Sequence, residues 1–159
     1  MLKPYNPEEL FQMKKRRGYK EIYCDGGVYP KENKVIWGFI VVDTDEVIQI
    51  QNGWINGSGG FDVERAESEA LFQAFEYIKK NPNNYRIYTD SRSVIDKIEG
   101  KVSNATKNPH IKGIQKILEK EKYSQFPTSI TLEWKRRRSD IFSEKVDDLC
   151  QSLSKCNLK

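Results

Sequence analysis

The sequence predicts a single α/β domain in which helices pack against a mixed β-sheet. Three observations predict this class. The first part of the chain has apolar segments with the spacing of β-strands. Helix-like and strand-like segments then alternate along the rest of the chain. Hydrophobic residues make up 37% of the 159 residues, which is enough for a sizeable core. No segment reaches the roughly 18 apolar residues of a membrane span, so we expect no contact with a membrane.

Residues 1–20 differ from the rest of the chain, and we expect them to be a basic N-terminal extension to a domain over 21–159. They contain a basic run from Lys14 to Arg17, which is equally consistent with a solvated arm, nucleic-acid contact or nuclear targeting. The first residues have no apolar core of the kind found in signal peptides. A cytoplasmic location is therefore predicted, with a nuclear one as the alternative.

Strands and helices are assigned from apolar periodicity. The predicted strands cover 22–24, 35–42, 47–50, 85–89 and 128–134, with a turn-rich loop over 52–60. The predicted helices cover 63–79, 94–98 and 110–118, and a last one carries the apolar stripe Val146, Leu149, Cys150 and Leu153. Three strands followed by alternating helices and strands indicate a mixed sheet in one layered domain.

Two aspartates follow the same local pattern, in the segments IYCDG (22–26) and IYTDS (87–91). In each, an apolar strand is followed by an aspartate and a small residue, which places a carboxylate at the carboxyl edge of a sheet, where ligands bind. If the two strands are neighbours, Asp25 and Asp90 converge. The alternative is that Asp25 opens a turn with Gly26 and Gly27, and that Asp90 caps the next helix.

A third acid lies on the apolar face of the helix over 63–79. At about 100° per residue, Glu67 falls in the middle of the apolar stripe, whereas Glu69 falls on the solvent side. A buried carboxylate costs several kcal/mol unless it is paired or holds a cation. The alternative for Glu67 is a first-turn acid that the helix dipole favours.

Asp147 is the fourth candidate, beside the apolar stripe of the last helix, where an acid is usually solvated. The four candidates offer only oxygen ligands, which favour Mg²⁺ or Mn²⁺. The chain has one histidine, His110, expected to be an ordinary surface or helix-start residue, so a serine or cysteine triad is not indicated. Its three cysteines form neither a disulfide framework nor a zinc motif.

The net charge of +4 slightly favours a polyanionic partner, and part of it comes from a second basic run at 135–138. Over about 21–153 the chain resembles the ribonuclease H family. The matching segments are YCDGG (23–27), WGFI (37–40), RAE (65–67), EAL (69–71), YTDS (88–91) and SEKVDDL (143–149).

The resemblance implies a five-stranded mixed sheet with helices on both faces. It also implies a site for two Mg²⁺ ions, with Mn²⁺ possible, built from four catalytic, metal-binding acids: Asp25, Glu67, Asp90 and Asp147. The implied activity is endonucleolytic hydrolysis of the RNA strand of an RNA/DNA hybrid by a two-metal mechanism. The candidate nucleic-acid-binding residues are Gly26, Gly27, Ser91, Arg92, Lys135, Arg136, Arg137 and Arg138.

The sequence departs from the family pattern at two places. The loop over 135–140 lacks the histidine that many members carry before the last helix, and Arg137 or Arg138 could reach the phosphate instead. The paired asparagines usually found before the helix glutamate are also missing. Two alternatives therefore stay open: a structure-selective DNA nuclease or junction resolvase of the same superfamily, and a non-catalytic nucleic-acid-binding or interaction module with this fold.

Overall fold

The computed structural model describes residues 18–57, 62–101, 108–122 and 129–154. The basic run from Lys14 to Arg17 and Cys156 therefore lie outside the described residues. The strands are β1 (Lys20–Tyr29), β2 (Lys34–Asp43), β3 (Glu46–Asn56), β4 (Tyr85–Thr89) and β5 (Ile130–Trp134). The α-helices are α1 (Val63–Lys80), α2 (Arg92–Ile98), α3 (Pro109–Lys122) and α4 (Ile141–Ser154), and a short 3₁₀ turn covers Pro30–Glu32.

The five strands form one mixed sheet in the order β3-β2-β1-β4-β5. β1, β2 and β3 pair antiparallel through two hairpins, whereas β4 pairs parallel with β1 and with β5. A parallel partner requires a crossover, and α1 provides the one between β3 and β4. The predicted α/β class with a five-stranded mixed sheet is confirmed.

Side chains alternate across the sheet into two cores. Ile22 and Cys24 of β1 point into the larger core, which includes Leu71 and Phe75 of α1. Tyr23, between them, points to the opposite face. There it joins a smaller core under α4 that contains Ile40, Val42 and Val146. Helices thus cover both faces, and burying a side chain such as Phe75 stabilises the fold by about 1.5–3 kcal/mol.

Two strands run further than their apolar segments predicted. β1 does not end at Asp25 but continues through Gly26 and Gly27 to Tyr29, paired with β2 throughout. This pairing rules out the alternative in which Asp25 opens a turn. β3 also continues to Asn56, so the predicted loop was wrong over 52–56. In both places hydrogen bonding to β2 overrides the turn preference of glycine and asparagine.

The close contact of β1 with α1 depends on Gly26. A Cβ atom on Gly26 would lie 2.4 Å from the backbone carbonyl carbon and oxygen of Ala66. Only a residue without a side chain lets the first turns of α1 lie directly on β1. This contact brings Glu67 to the sheet. Among the described residues, no helix is long and apolar enough to cross a membrane.

Candidate metal centre

Three carboxylates meet just beyond the point where the parallel pairing of β1 and β4 ends. Asp25 comes from β1, Asp90 follows β4, and Glu67 comes from α1; one oxygen of each lies within 4.8 Å of the others. The strand register explains the first two, because Tyr23 pairs with Tyr88 and each aspartate is two residues further along. We call Asp25, Glu67 and Asp90 the acidic triad.

Two members of the acidic triad, Asp25 and Glu67, are buried without enough compensating partners, and Asp90 is half-buried. Asp25 is 6% exposed and Glu67 is 4% exposed. Glu67 Oε2 is the one buried side-chain oxygen or nitrogen in the described ranges that has no hydrogen-bond partner. Three crowded acids are costly when ionised.

The pKa values of two triad members reflect this cost. Burial, and then the charges of Asp90 and Asp25, raise the pKa of Glu67 well above its usual range. Burial, Asp90 and Asp147 raise the pKa of Asp25 to about 8. A divalent cation would offset the negative charge of these carboxylates, and the unpaired oxygen of Glu67 could coordinate it. These residues therefore fit an oxygen-preferring metal ion.

Asp147 adjoins Asp25 but is engaged differently. It is 2% exposed, and its two oxygens accept hydrogen bonds from Arg137 Nη2 at 2.8 Å and Arg138 Nη1 at 2.7 Å. Burial on its own raises the pKa of Asp147, but the hydrogen bonds from Arg138 and Arg137 outweigh burial, and the net effect is a lowered pKa. The structure therefore brings three of the four predicted acids into one cluster and holds Asp147 in ion pairs beside it.

The acidic triad opens into a cleft between β1, the first turns of α1 and the residues after β4. The cleft is lined by Asp25, Gly26, Gly27, Val28, Tyr29, Val63, Glu67, Asp90, Ser91 and Arg137. Gly26, Gly27, Ser91 and Arg137 were predicted to bind nucleic acid, and they face this cleft. Tyr29 was missed, because β1 was expected to end before it. The apolar residues Val28 and Tyr29 after the glycines were the available signal that the strand continues.

Asp90 is supported by its neighbours. Trp134 Nε1 donates a hydrogen bond of 3.0 Å to the backbone oxygen of Asp90, and the guanidinium of Arg92 lies 4.2 Å from the centre of the Trp134 ring. Ser91, rather than Asp90, caps α2, since Ser91 Oγ accepts from the backbone N–H of Val94. The alternative role of Asp90 as a helix cap is therefore wrong, and its carboxylate is available to the cluster. The sequence around Trp134 did not predict these contacts with Asp90 and Arg92.

The basic run at 135–138 divides into residues with different surroundings. Lys135 forms an ion pair with Asp140 and donates a 3.3 Å hydrogen bond to Tyr23 Oη, so it is held within the fold. Arg136 lines a small cavity next to Asp147. Arg137 and Arg138 pair with Asp147, which reduces the positive charge that this loop offers to a polyanion.

Glu69 is not on the solvent side of α1, so this prediction was wrong. It is 7% exposed, and it pairs with His110 at the start of α3. Because α3 packs against α1, the helix has a second covered face that its apolar stripe does not show. His110 does stand in the first turn of a helix, as expected, but it also has this specific partner, and its ring contacts Phe72.

Comparisons with known proteins agree with this architecture. The RNase H family model matches residues 17–153, which is most of the chain. A five-stranded mixed sheet with one acid in β1 and another just after β4, where the parallel pairing of these strands ends, is typical of an RNase H-like domain. The chain belongs to the RNase H family. No curated protein sequence matches it significantly.

Solved structures show the same fold at low sequence identity. RNase H1 from the halophilic archaeon Halobacterium salinarum NRC-1 is 19% identical, with a TM-score of 0.63 over 85% of this chain and 96% of that one. The N-terminal RNase H domain of rv2228c from Mycobacterium tuberculosis is 19% identical, with a TM-score of 0.62 over 86% and 95%. LC11-RNase H1 in complex with an RNA/DNA hybrid is 16% identical, with a TM-score of 0.60 over 84% and 98%.

Proposed function

We propose that the protein is a metal-dependent endonuclease that hydrolyses the RNA strand of RNA/DNA hybrids. The observation that carries the proposal is the acidic triad, with Asp25 and Glu67 buried and an unpaired oxygen on Glu67, in an open cleft of a member of the RNase H family. The hybrid is the proposed substrate because a structure with this fold, LC11-RNase H1, is a complex with such a hybrid.

Asp25, Glu67 and Asp90 would hold Mg²⁺, or Mn²⁺ in its place, since hard oxygen donors select these ions. Asp147, next to Asp25, is the candidate fourth ligand for a second ion. The chemistry that two bound Mg²⁺ ions supply is Lewis-acid polarisation of the scissile phosphate and a lower pKa of the attacking water.

The protein contributes position and charge to this reaction. The acidic triad lies on a rigid β-sheet and the first turns of a packed helix, so its geometry is set before substrate arrives. Arg137 lines the cleft, and Arg92 lies beside it on Trp134; their guanidinium groups suit phosphate oxygens. Selection of the RNA strand would come from the 2′-hydroxyl groups in the shallow minor groove and from the shape of the hybrid.

A cleavage assay tests the proposal against its alternatives. Labelled RNA/DNA hybrid, duplex RNA, duplex DNA and a four-way junction are each incubated with Mg²⁺, Mn²⁺ or EDTA. We expect cleavage of the hybrid RNA strand alone, dependent on metal and abolished by Asp25→Asn. Cleavage of the junction or of duplex DNA would instead identify a structure-selective DNA nuclease. Hybrid binding without any cleavage would identify a non-catalytic module.

A further inference from the structure

Both oxygens of Asp147 already have a cationic partner. Arg137 Nη2 binds Oδ1 at 2.8 Å, Arg138 Nη1 binds Oδ2 at 2.7 Å, and Gln151 Nε2 also donates to Oδ2 at 3.1 Å. Hydrogen bonds between a guanidinium and a carboxylate at these distances are among the strongest in proteins. In contrast, the nearby Glu67 has an oxygen with no partner. A cation that enters this region can therefore be coordinated by the acidic triad, whereas both oxygens of Asp147 are already hydrogen-bonded to arginine.

We propose that Arg137 and Arg138 form a clamp that keeps Asp147 from binding a divalent ion in the free protein. Two guanidinium groups bring two positive charges to the single negative charge of the Asp147 carboxylate. Both groups therefore repel a dication that approaches Asp147. The free protein then binds one ion, in the acidic triad, and Asp147 becomes a ligand only after the arginine clamp opens. This inference rests on the metal-dependent function proposed above, but it concerns the protein without substrate.

The arginine clamp can open without unfolding, because both side chains reach Asp147 from the solvent. The side chain of Arg137 is 60% exposed and that of Arg138 is 41% exposed. Arg138 is also held by Asp148, at 2.8 Å, and its φ of 53° places it in the left-handed region. Arg137 lines the cleft, so we expect it to leave Asp147 first.

A phosphodiester group is the ligand class that can take over the released guanidinium. Its oxygens match the planar fork of arginine as well as a carboxylate does. A nucleic-acid strand in the cleft would bring such a group to Arg137 while freeing Asp147 Oδ1. Substrate entry and completion of the metal site would then be coupled through one side chain.

Mn²⁺ binding to the full chain without nucleic acid tests the inference, with free Mn²⁺ measured by electron paramagnetic resonance. We expect one bound ion in the wild type, none in Asp25→Asn, and one in Asp147→Asn. The Arg137→Ala/Arg138→Ala double variant should bind two, and adding Asp147→Asn to it should restore one. Lys145→Ala is the control, because it removes an exposed positive charge from the same helix as Asp147.

Either two ions or none in the wild type would overturn the inference, and so would one ion in a folded double variant. Circular dichroism establishes whether the double variant is folded. If the double variant is unfolded, the single variant Arg137→Ala decides, because Arg138 still offsets the buried charge of Asp147 and preserves the fold. This variant frees only Asp147 Oδ1, so a second, weaker Mn²⁺ site that the wild type lacks supports the clamp, and the absence of such a site contradicts it. The number of bound Mn²⁺ ions is measured without cleavage. The clamp proposal can therefore be contradicted while the proposed hybrid cleavage is supported, and the cleavage proposal can be contradicted while the clamp is supported.

Discussion

The Glu69 carboxylate and the His110 imidazole form a hydrogen-bonded pair that joins α1 to α3, with Oε2 and Nε2 2.5 Å apart. Gln73 Nε2 also donates to Glu69 Oε1 at 3.2 Å, so both oxygens of this carboxylate have partners. The hydrogen bond from His110 is the main reason that the pKa of Glu69 is lowered. Glu67, two residues earlier on the same helix, has the opposite character, with a raised pKa and an unpaired oxygen.

The two glutamates should therefore respond oppositely to the same substitution. Glu69→Gln removes a paired charge, so we expect the free energy of unfolding to fall by about 1 kcal/mol while metal-dependent cleavage persists. Glu67→Gln removes a buried carboxyl group that burial and neighbouring acids disfavour in its ionised form, so we expect loss of cleavage with equal or higher stability in EDTA. Urea unfolding and the hybrid assay measure both effects. An inactive Glu69→Gln beside an active Glu67→Gln would contradict the assignment of the triad.

The pair with His110 also gives Glu69 a defined pH dependence. A carboxyl with a lowered pKa in the folded state stabilises the protein above its unfolded pKa of about 4.3, and this contribution is lost as pH falls below that value. The wild type should therefore lose stability more steeply than Glu69→Gln as acid is added below about pH 4.3. Thermal unfolding of both proteins across this range provides the comparison, and equal slopes would show that the pair contributes little.

Asp25 should produce the opposite pH dependence in metal-free protein. Its pKa is about 8 in the folded chain and about 4 in an unfolded one, so the folded state binds more protons between these values. The free energy of unfolding then decreases as pH rises from about 4 to 8. Asp25→Asn removes this linkage, and in EDTA at pH 8 it should have a higher Tm than the wild type. Asp45→Asn, in the exposed turn between β2 and β3, is the control and should keep the wild-type slope.

The layers of the fold and the proximity of Asp25 and Asp90 could be predicted because they depend on local patterns. Apolar periodicity predicts the helices and strands, and two neighbouring parallel strands that share the same local pattern place their corresponding residues side by side. Helical phase put Glu67 on the buried face of α1 for the same reason. Each of these inferences uses only residues within a few positions of one another.

The rest depends on contacts between distant parts of the chain. Glu69 is buried because α3, whose His110 lies 41 positions later, covers it. Asp147 is occupied because Arg137 and Arg138 return to it across the turn that leads into α4, with Arg138 in a backbone conformation that its side chain does not favour. The extensions of β1 and β3 depend likewise on pairing with β2. Spacing within one element carries no information on these contacts.

Gly26 should be intolerant of any side chain. An alanine Cβ there would lie 2.4 Å from the carbonyl of Ala66 and 2.8 Å from the backbone nitrogen of Glu67. Because these are backbone atoms, α1 must shift, so we expect Gly26→Ala to lower the free energy of unfolding by about 3 kcal/mol and to weaken Mn²⁺ binding. In the neighbouring Gly27→Ala, the Cβ meets the Tyr29 ring, which can move. The free energy of unfolding of Gly27→Ala should stay closer to that of the wild type. An equal decrease in both variants would contradict the interpretation that the β1–α1 contact requires glycine at position 26.

Trp134 should act on the acidic triad through the backbone of Asp90. Trp134→Phe keeps an aromatic face for Arg92 but removes the N–H that donates to the Asp90 carbonyl. A hydrogen bond of this kind contributes about 1 kcal/mol, and the Trp134 side of it is partly exposed, so we expect Mn²⁺ affinity to fall about twofold to fivefold. Arg92→Ala leaves that hydrogen bond in place and should leave Mn²⁺ affinity near the wild-type value while weakening hybrid binding. Equal Mn²⁺ affinities in Trp134→Phe and wild type would show that β4 and α2 hold Asp90 in position without Trp134.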